Sequence, residues 1–274
     1  MDLTTILPLL SPWQPAEGGE HNPEHCFFPE MQRLSSAFAH LAGTATSTLA
    51  LADISLLKAL HSYAATPPWW CSLLSEAEQQ RCAGFSYPKR YLEWLGGRLA
   101  AKYCLSLLPA FRTARAKSLS ILADEHGRPY LEHGERSSLT RLPQISISHS
   151  HGYAAAFCSC QGRCGVDIQK ILAKIELVAD KFTSPGETSL LRDTDKLLTL
   201  TLIWAAKEAI KKSMLHDQPS LFSGIEVQGI RQESERCWTM ACSLERSPDG
   251  GPVEVRLALL KDYVIACSQE GDHA

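Results

Sequence analysis

No apolar run in the 274 residues approaches ~20 residues, the length a helix needs to cross a bilayer, so no membrane segment is expected. A strong charge of one sign is missing too. The 27 basic and 30 acidic residues leave a net charge of −3, without the basic field expected of a nucleic-acid binder. No GxxxxGK[ST] loop and no GxGxxG turn after a strand is present, so neither common nucleotide-phosphate cradle is indicated. No GxSxG elbow frames Ser148-His149-Ser150, which therefore does not read as a hydrolase nucleophile and base. The paired CxxC knuckles of structural zinc are also lacking. Cys158, Cys160 and Cys164, with His149 and His151 upstream, read better as small buried thiols. The apolar stretch 1–10 lacks a basic leader and carries Asp2 and Pro8, which makes a poor secretory signal. The 10 cysteines are accordingly expected to be reduced and the protein cytoplasmic.

What is present is ordinary in bulk, with 45% hydrophobic and 21% charged residues, and long enough for one large domain or two of ~100–150 residues each. Pro8, Pro12, Pro15, Pro23 and Pro29 suggest that residues 1–40 form an irregular extension. Thr44 to Ala52 reads as a first strand, with Asp53 capping a short helix to Tyr63. Ser75-Glu76-Ala77-Glu78 has capping-box spacing, so a helix is expected from Glu76 to about Gly84. Pro88 opens a longer helix that ends before Pro109. Leu119 to Ala123 reads as a strand, followed by a turn at 124–127. Ile145–Ser150, Tyr153–Cys158 and Gly165–Lys170 read as three more strands. Helical segments are expected at 175–181, 187–192 and 196–215. Alternating runs at 225–230, 238–244, 253–259 and 263–268 suggest an antiparallel meander, with turn chemistry at 248–251. Helix followed by strands occurs before Gly162 and again after it.

Asp167 is the residue that asks for an explanation. Strand alternation buries Val166 and Ile168 and turns Asp167 to the opposite face, and aspartate is disfavoured in strands. A turn or a buried ion pair is the plain alternative. On the helix at 196–215, Glu208 and Lys212 are four apart and share a face, and Lys207 and Lys211 form a neighbouring pair. By itself that helix could carry no more than a solvated ion pair. If Asp167 and Glu208 converge, a cation is needed between them, because like charges raise each other's pKa. Mg²⁺ is commonly held by one or two carboxylates, waters and substrate phosphates. Arg81, Lys89, Arg90, Arg128, His149, Lys207 and Lys212 would then suit a multiply phosphorylated small ligand, although each alone is as readily a surface charge.

Taken in order, Gly97-Arg98-Leu99-Ala100-Ala101-Lys102, Gly127-Arg128-Pro129, Ile147-Ser148-His149-Ser150, Gly165-Val166-Asp167-Ile168 and Trp204-x-x-Lys207-Glu208-Ala209-x-x-Lys212 resemble the 4′-phosphopantetheinyl transferases of the two-lobed, surfactin-synthetase-activating class. The resemblance covers roughly Thr44 to Ser268. It implies an α+β fold of two similar α/β lobes related by a pseudo-two-fold. Each lobe would be a small, mainly antiparallel sheet packed on helices, with the active site in the cleft between them. The lobes would span 41–161 and 162–274. The implied reaction moves the phosphopantetheine arm of coenzyme A to a serine of an apo acyl or peptidyl carrier protein, releasing 3′,5′-ADP, in a monomer that uses Mg²⁺ or Mn²⁺. Such carriers serve fatty-acid, polyketide or nonribosomal-peptide synthesis. By the same resemblance Asp167, Glu208 and Lys212 are the catalytic residues. Asp167 and Glu208 would hold the metal, with Gln169 near it or joined to it through water. Arg81, Lys89, Arg90, Arg128, Ser148, His149, Lys207 and Lys212 would bind the cofactor, with His149 and Arg128 on its 3′-phosphate. Many members carry Glu where this chain has Gln169, so metal is expected to bind more weakly than at a three-carboxylate site. The alternative is a non-catalytic module that binds coenzyme A or a carrier, with a weakened metal site.

Overall fold

The computed structural model describes residues 24–61, 68–133, 141–191, 195–215, 222, 224–245 and 251–270. Where the prolines suggested an irregular extension, Glu24–Phe38 form a helix, α1, continued by a 3-10 turn, Ala39–Ala42. Pro29 lies inside α1, early enough that its missing N–H removes one hydrogen bond near the helix start. Phe27, Met31 and Leu34 recur at helical spacing and are buried, and this packing outweighs the proline.

Local signals start the next elements. Strand β1, Ser47–Asp53, ends on an aspartate whose Oδ1 accepts hydrogen bonds from the Ser55 and Leu56 N–H groups and so begins α2, Ile54–His61. The expected capping box forms between Ser75 and Glu78 at the start of α3, Glu76–Ala83. Pro88 stands at the first turn of α4, Pro88–Leu107. Strands β2 (Leu119–Ala123), β3 (Pro129–His133), β4 (Gln144–Ser150), β5 (Tyr153–Ser159) and β6 (Cys164–Lys170) follow. The segments expected as helices after β6 are 3-10 turns, Ala173–Lys181 and Glu187–Leu191. Asp195 caps α5, Lys196–Met214, through the Leu198 N–H. The tail is β7 (Ile225–Ser234), β8 (Cys237–Leu244), β9 (Val253–Leu260) and β10 (Tyr263–Gln269). Most of the turn expected at 248–251 lies outside the described residues.

The result is the expected mixture of helices and antiparallel sheets. One sheet has the order β1-β5-β4, a second β6-β10-β9-β8-β7, and β2 and β3 form a separate hairpin. Alternation along β1 and β5 divides the apolar residues. Ala50, Ala52, Ala154 and Ala156 pack with α4, whereas Leu49, Leu51 and Phe157 join Val166, Ile168 and Ile265 of the second sheet. The other face of that sheet packs on α5 through residues such as Val264, Ala266, Ala206 and Ile210. The division expected at 161/162 therefore falls in the turn between two strands whose apolar faces share a core. Among the described residues no helix is long and apolar enough to cross a membrane.

Candidate active site

Strand β4 separates two environments. Its residues Ile147 and His149 line a cavity of about 700 Å³. Its serines, at the intervening positions, reach the edge of β6. Ser146 Oγ accepts from the Val166 N–H at 3.0 Å, Ser150 Oγ accepts from the Lys170 N–H at 3.2 Å, and Ser148 Oγ donates to Asp167 Oδ1 at 2.8 Å. Period-2 geometry thus gives one hexapeptide, Ile145–Ser150, two separate tasks.

Asp167 is only 5% exposed although its strand neighbours Val166 and Ile168 point the other way, because β6 has a sheet on one face and α5 on the other. Lys212 Nζ donates to Asp167 Oδ1 at 2.7 Å and to the Val166 carbonyl at 2.9 Å. Asp167 Oδ2 is buried without a hydrogen-bond partner among the described residues. Glu208 lies one turn before Lys212 and is half-buried. Burial, and then the negative charge of Asp167, hold its carboxyl above the usual range, with Lys212 and Lys211 opposing. The approach of α5 to β6 depends on Gly165, since a Cβ there would collide with the Ala209 carbonyl oxygen. Gln169 shares the Asp167 side of β6 by alternation, and its amide donates to the Lys170 carbonyl at 3.2 Å.

Basic and aromatic side chains line the cavity together, Arg81 over the Phe85 ring and Arg98 over that of Trp94. Arg81, Arg90, Arg98 and His149 line it together with Glu93, Trp94, Phe85, Gly127 and Pro129. His149 Nδ1 lies 3.9 Å from Glu93. Burial lowers the His149 pKa, Glu93 opposes this, and the charges of Lys212 and Asp167 also act on the ring, so the cavity adjoins the Asp167 seam electrostatically. Arg98 is 8% exposed, its guanidinium carbon lies 5.1 Å from the Trp94 ring centroid, and its Nε is buried without a partner among the described residues. Burial pulls its pKa down to about 10. No role was assigned to Arg98 from the sequence. The available signal was a guanidinium among Leu95, Leu99, Ala100 and Ala101 on a helix.

Not every expected ligand comes together here. Arg90 lines the cavity and lies 3.4 Å from Glu93, whereas Lys89 is 80% exposed with Nζ 3.8 Å from the same carboxylate and does not line the cavity. Arg128 follows cavity-lining Gly127, with its guanidinium 4.0 Å from Asp124. Ser148 faces Asp167 rather than the cavity. Lys207, expected to bind cofactor, is buried instead and donates to Glu187 and to the Phe182 carbonyl, both at 2.8 Å. The smaller cavity it borders, about 410 Å³, holds none of the other expected site residues. All ten cysteines are free thiols, and among the described residues no three His, Cys, Asp or Glu side chains gather as a metal cage.

A family model described as the 4′-phosphopantetheinyl transferase superfamily matches residues 163–268, a span that contains Asp167, Glu208 and Lys212. The chain is 29% identical over 151 residues to a putative 4′-phosphopantetheinyl transferase of Synechocystis sp., covering 53% of this chain and 58% of that protein's length. It is 36% identical over 89 residues to a holo-[acyl-carrier-protein] synthase of Acholeplasma laidlawii, covering 31% of this chain and 72% of that one.

Proposed function

Because the chain belongs to the 4′-phosphopantetheinyl transferase superfamily, we propose that it transfers the 4′-phosphopantetheine arm of coenzyme A to a serine hydroxyl of an apo acyl or peptidyl carrier protein. The serine Oγ forms a bond to the β-phosphorus of the coenzyme A pyrophosphate. The bond from that phosphorus to the bridging oxygen breaks, and 3′,5′-ADP leaves. The observation that supports this reading is the meeting of Asp167, Glu208 and Lys212, from a strand and a helix, beside a cavity lined by Arg81, Arg90 and His149.

In this reading Glu208 takes the serine proton, directly or through a water, and its raised pKa makes it a stronger base than an exposed glutamate. Lys212 supplies positive charge to the pyrophosphate and the leaving group. Arg81, Arg90 and His149 hold the 3′-phosphate end of coenzyme A, with Arg128 beside them. Two carboxylates, one with a bare buried oxygen, and the Gln169 amide at the next position on the same side fit a divalent cation that keeps waters and takes ligand phosphates. When bound, Mg²⁺ or Mn²⁺ would offset charge on the pyrophosphate. Phosphoryl transfer depends mainly on such positioning and charge neutralisation. The proposal includes two similar lobes with the site in the cleft between them.

The test is the intact mass of an apo carrier protein after incubation with the full chain, coenzyme A and Mg²⁺, beside Asp167→Ala. A gain of one phosphopantetheine arm, lost in the variant, is expected. No gain across fatty-acid, polyketide and peptidyl carriers, with coenzyme A still bound, would replace the transferase by a binding module.

A further inference from the structure

Asp167 engages its two oxygens unequally. Oδ1 accepts from both the Ser148 hydroxyl and the Lys212 ammonium, whereas Oδ2 is buried with no partner among the described residues. The inequality originates in the serine row of β4. Ser146 and Ser150 act as acceptors for the backbone of β6 and fix how far one strand edge lies along the other. Ser148 stands between them in the same row but acts as a donor, and its target is the carboxylate. The outer contacts set the register of the seam, and the middle one sets the rotation of a side chain.

That rotation is otherwise soft, because the terminal torsion of aspartate is broad and roughly two-fold. Held by Lys212 alone, the carboxylate is free to turn and share the ammonium between both oxygens. With Ser148 as a second donor, Oδ1 has two and Oδ2 stays bare. We propose that Ser148 is a positioning residue for Asp167, holding the carboxylate so that Oδ2 remains available to a divalent cation. The inference rests on the metal reading of Asp167 given above. It departs from a role for Ser148 as a coenzyme A contact, since the residues that turn from β4 toward the cavity are Ile147 and His149.

The test separates metal binding from coenzyme A binding. Mn²⁺ binding to the full chain is followed by the paramagnetic resonance signal of the free ion with coenzyme A present. Coenzyme A binding without metal is followed by calorimetry. Ser148→Ala is expected to weaken Mn²⁺ binding by about ten- to a hundredfold, the usual range for a ligand-orienting partner, while metal-free coenzyme A affinity stays within about twofold. Ser148→Thr keeps the hydroxyl and is expected to restore Mn²⁺ binding. Ser148→Cys keeps the size but donates weakly, and is expected to follow Ser148→Ala. Ser146→Ala is expected to lower the unfolding midpoint and leave Mn²⁺ binding unchanged. Unaltered Mn²⁺ affinity in Ser148→Ala overturns the inference. An equal loss of metal-free coenzyme A affinity overturns it too, by placing Ser148 on the ligand. If the natural chain binds coenzyme A but no Mn²⁺, the metal reading itself fails and the inference falls with it.

Discussion

Glu78 and Glu187 make similar sets of contacts in two parts of the chain. Glu78 accepts from the Ser75 N–H, from the Ile121 N–H in the middle of β2, and from Lys102 of α4 at 2.8 Å. Glu187 accepts from the Ser184 N–H, from the Val227 N–H near the start of β7, and from Lys207 of α5 at 2.8 Å. Each carboxylate ties a turn, a long helix and a strand together at one buried point. The surroundings differ. In the first half no ladder joins β3 to β4 among the described residues, the cavity lies against β2, β3 and β4, and Arg98, one turn before Lys102, faces it. Around Glu187 the sheet is continuous through five strands, and beyond Lys207 on α5 come Glu208, Lys211 and Lys212, of which Lys212 meets the β6 seam. The anchors tie the architecture together, and the residues beside them on the helices face the cavity in one case and the β6 seam in the other.

Breaking the anchors should have the largest effect and should not distinguish the halves. Glu78→Ala and Glu187→Ala each leave a buried lysine unpaired, which typically costs about 3–5 kcal/mol. Denaturant unfolding is expected to give similar losses for the two. A large loss for one alone would break the equivalence. A smaller effect should separate the halves. Gly165→Ala drives a Cβ into the Ala209 backbone, and overpacking of this kind costs roughly 1–3 kcal/mol. Gly97→Ala in α4 meets a side-chain methyl of Ile147 and is expected to cost less in the same unfolding experiment.

The smallest effect concerns His149 in the cavity. Burial lowers the His149 pKa below its unfolded value, so the folded state favours the neutral ring. The stability this contributes is present above the unfolded pKa of about 6.5 and is lost as pH falls through the folded value. His149→Gln is therefore expected to unfold at higher temperature than the natural chain at pH 5 and to lose that advantage by pH 8. A midpoint difference that is flat with pH would remove burial as the cause.

How much of this was legible depends on the distance over which each signal acts. The Ser75 cap, the Asp53 cap, the Pro88 start and the four-strand tail are local and could be read directly. Helix α1 was obscured because proline is a loud signal, whereas the burial of Phe27, Met31 and Leu34 depends on the partners they meet. The spacing of Glu208 and Lys212 showed a shared face but could not show which strand lies opposite. Lys207 looked like part of the same basic group because its partner, Glu187, is twenty residues away beyond an irregular stretch. The serines of β4 gave a clear alternation, but nothing local says that their face meets the edge of another sheet. Arg98 was visible as an oddity on an apolar helix, and its task depends on a cavity built by segments far along the chain.

The bare backbone at Gly165 has a consequence beyond packing. Lys212 reaches Asp167 from a helix position fixed by where α5 touches β6, so the reach of the ammonium is gauged by one missing methyl group at the strand. A substitution there acts as a shim. It needs no contact with Lys212, Glu208 or a ligand to spoil their alignment, because it changes the clearance from which all three distances are measured.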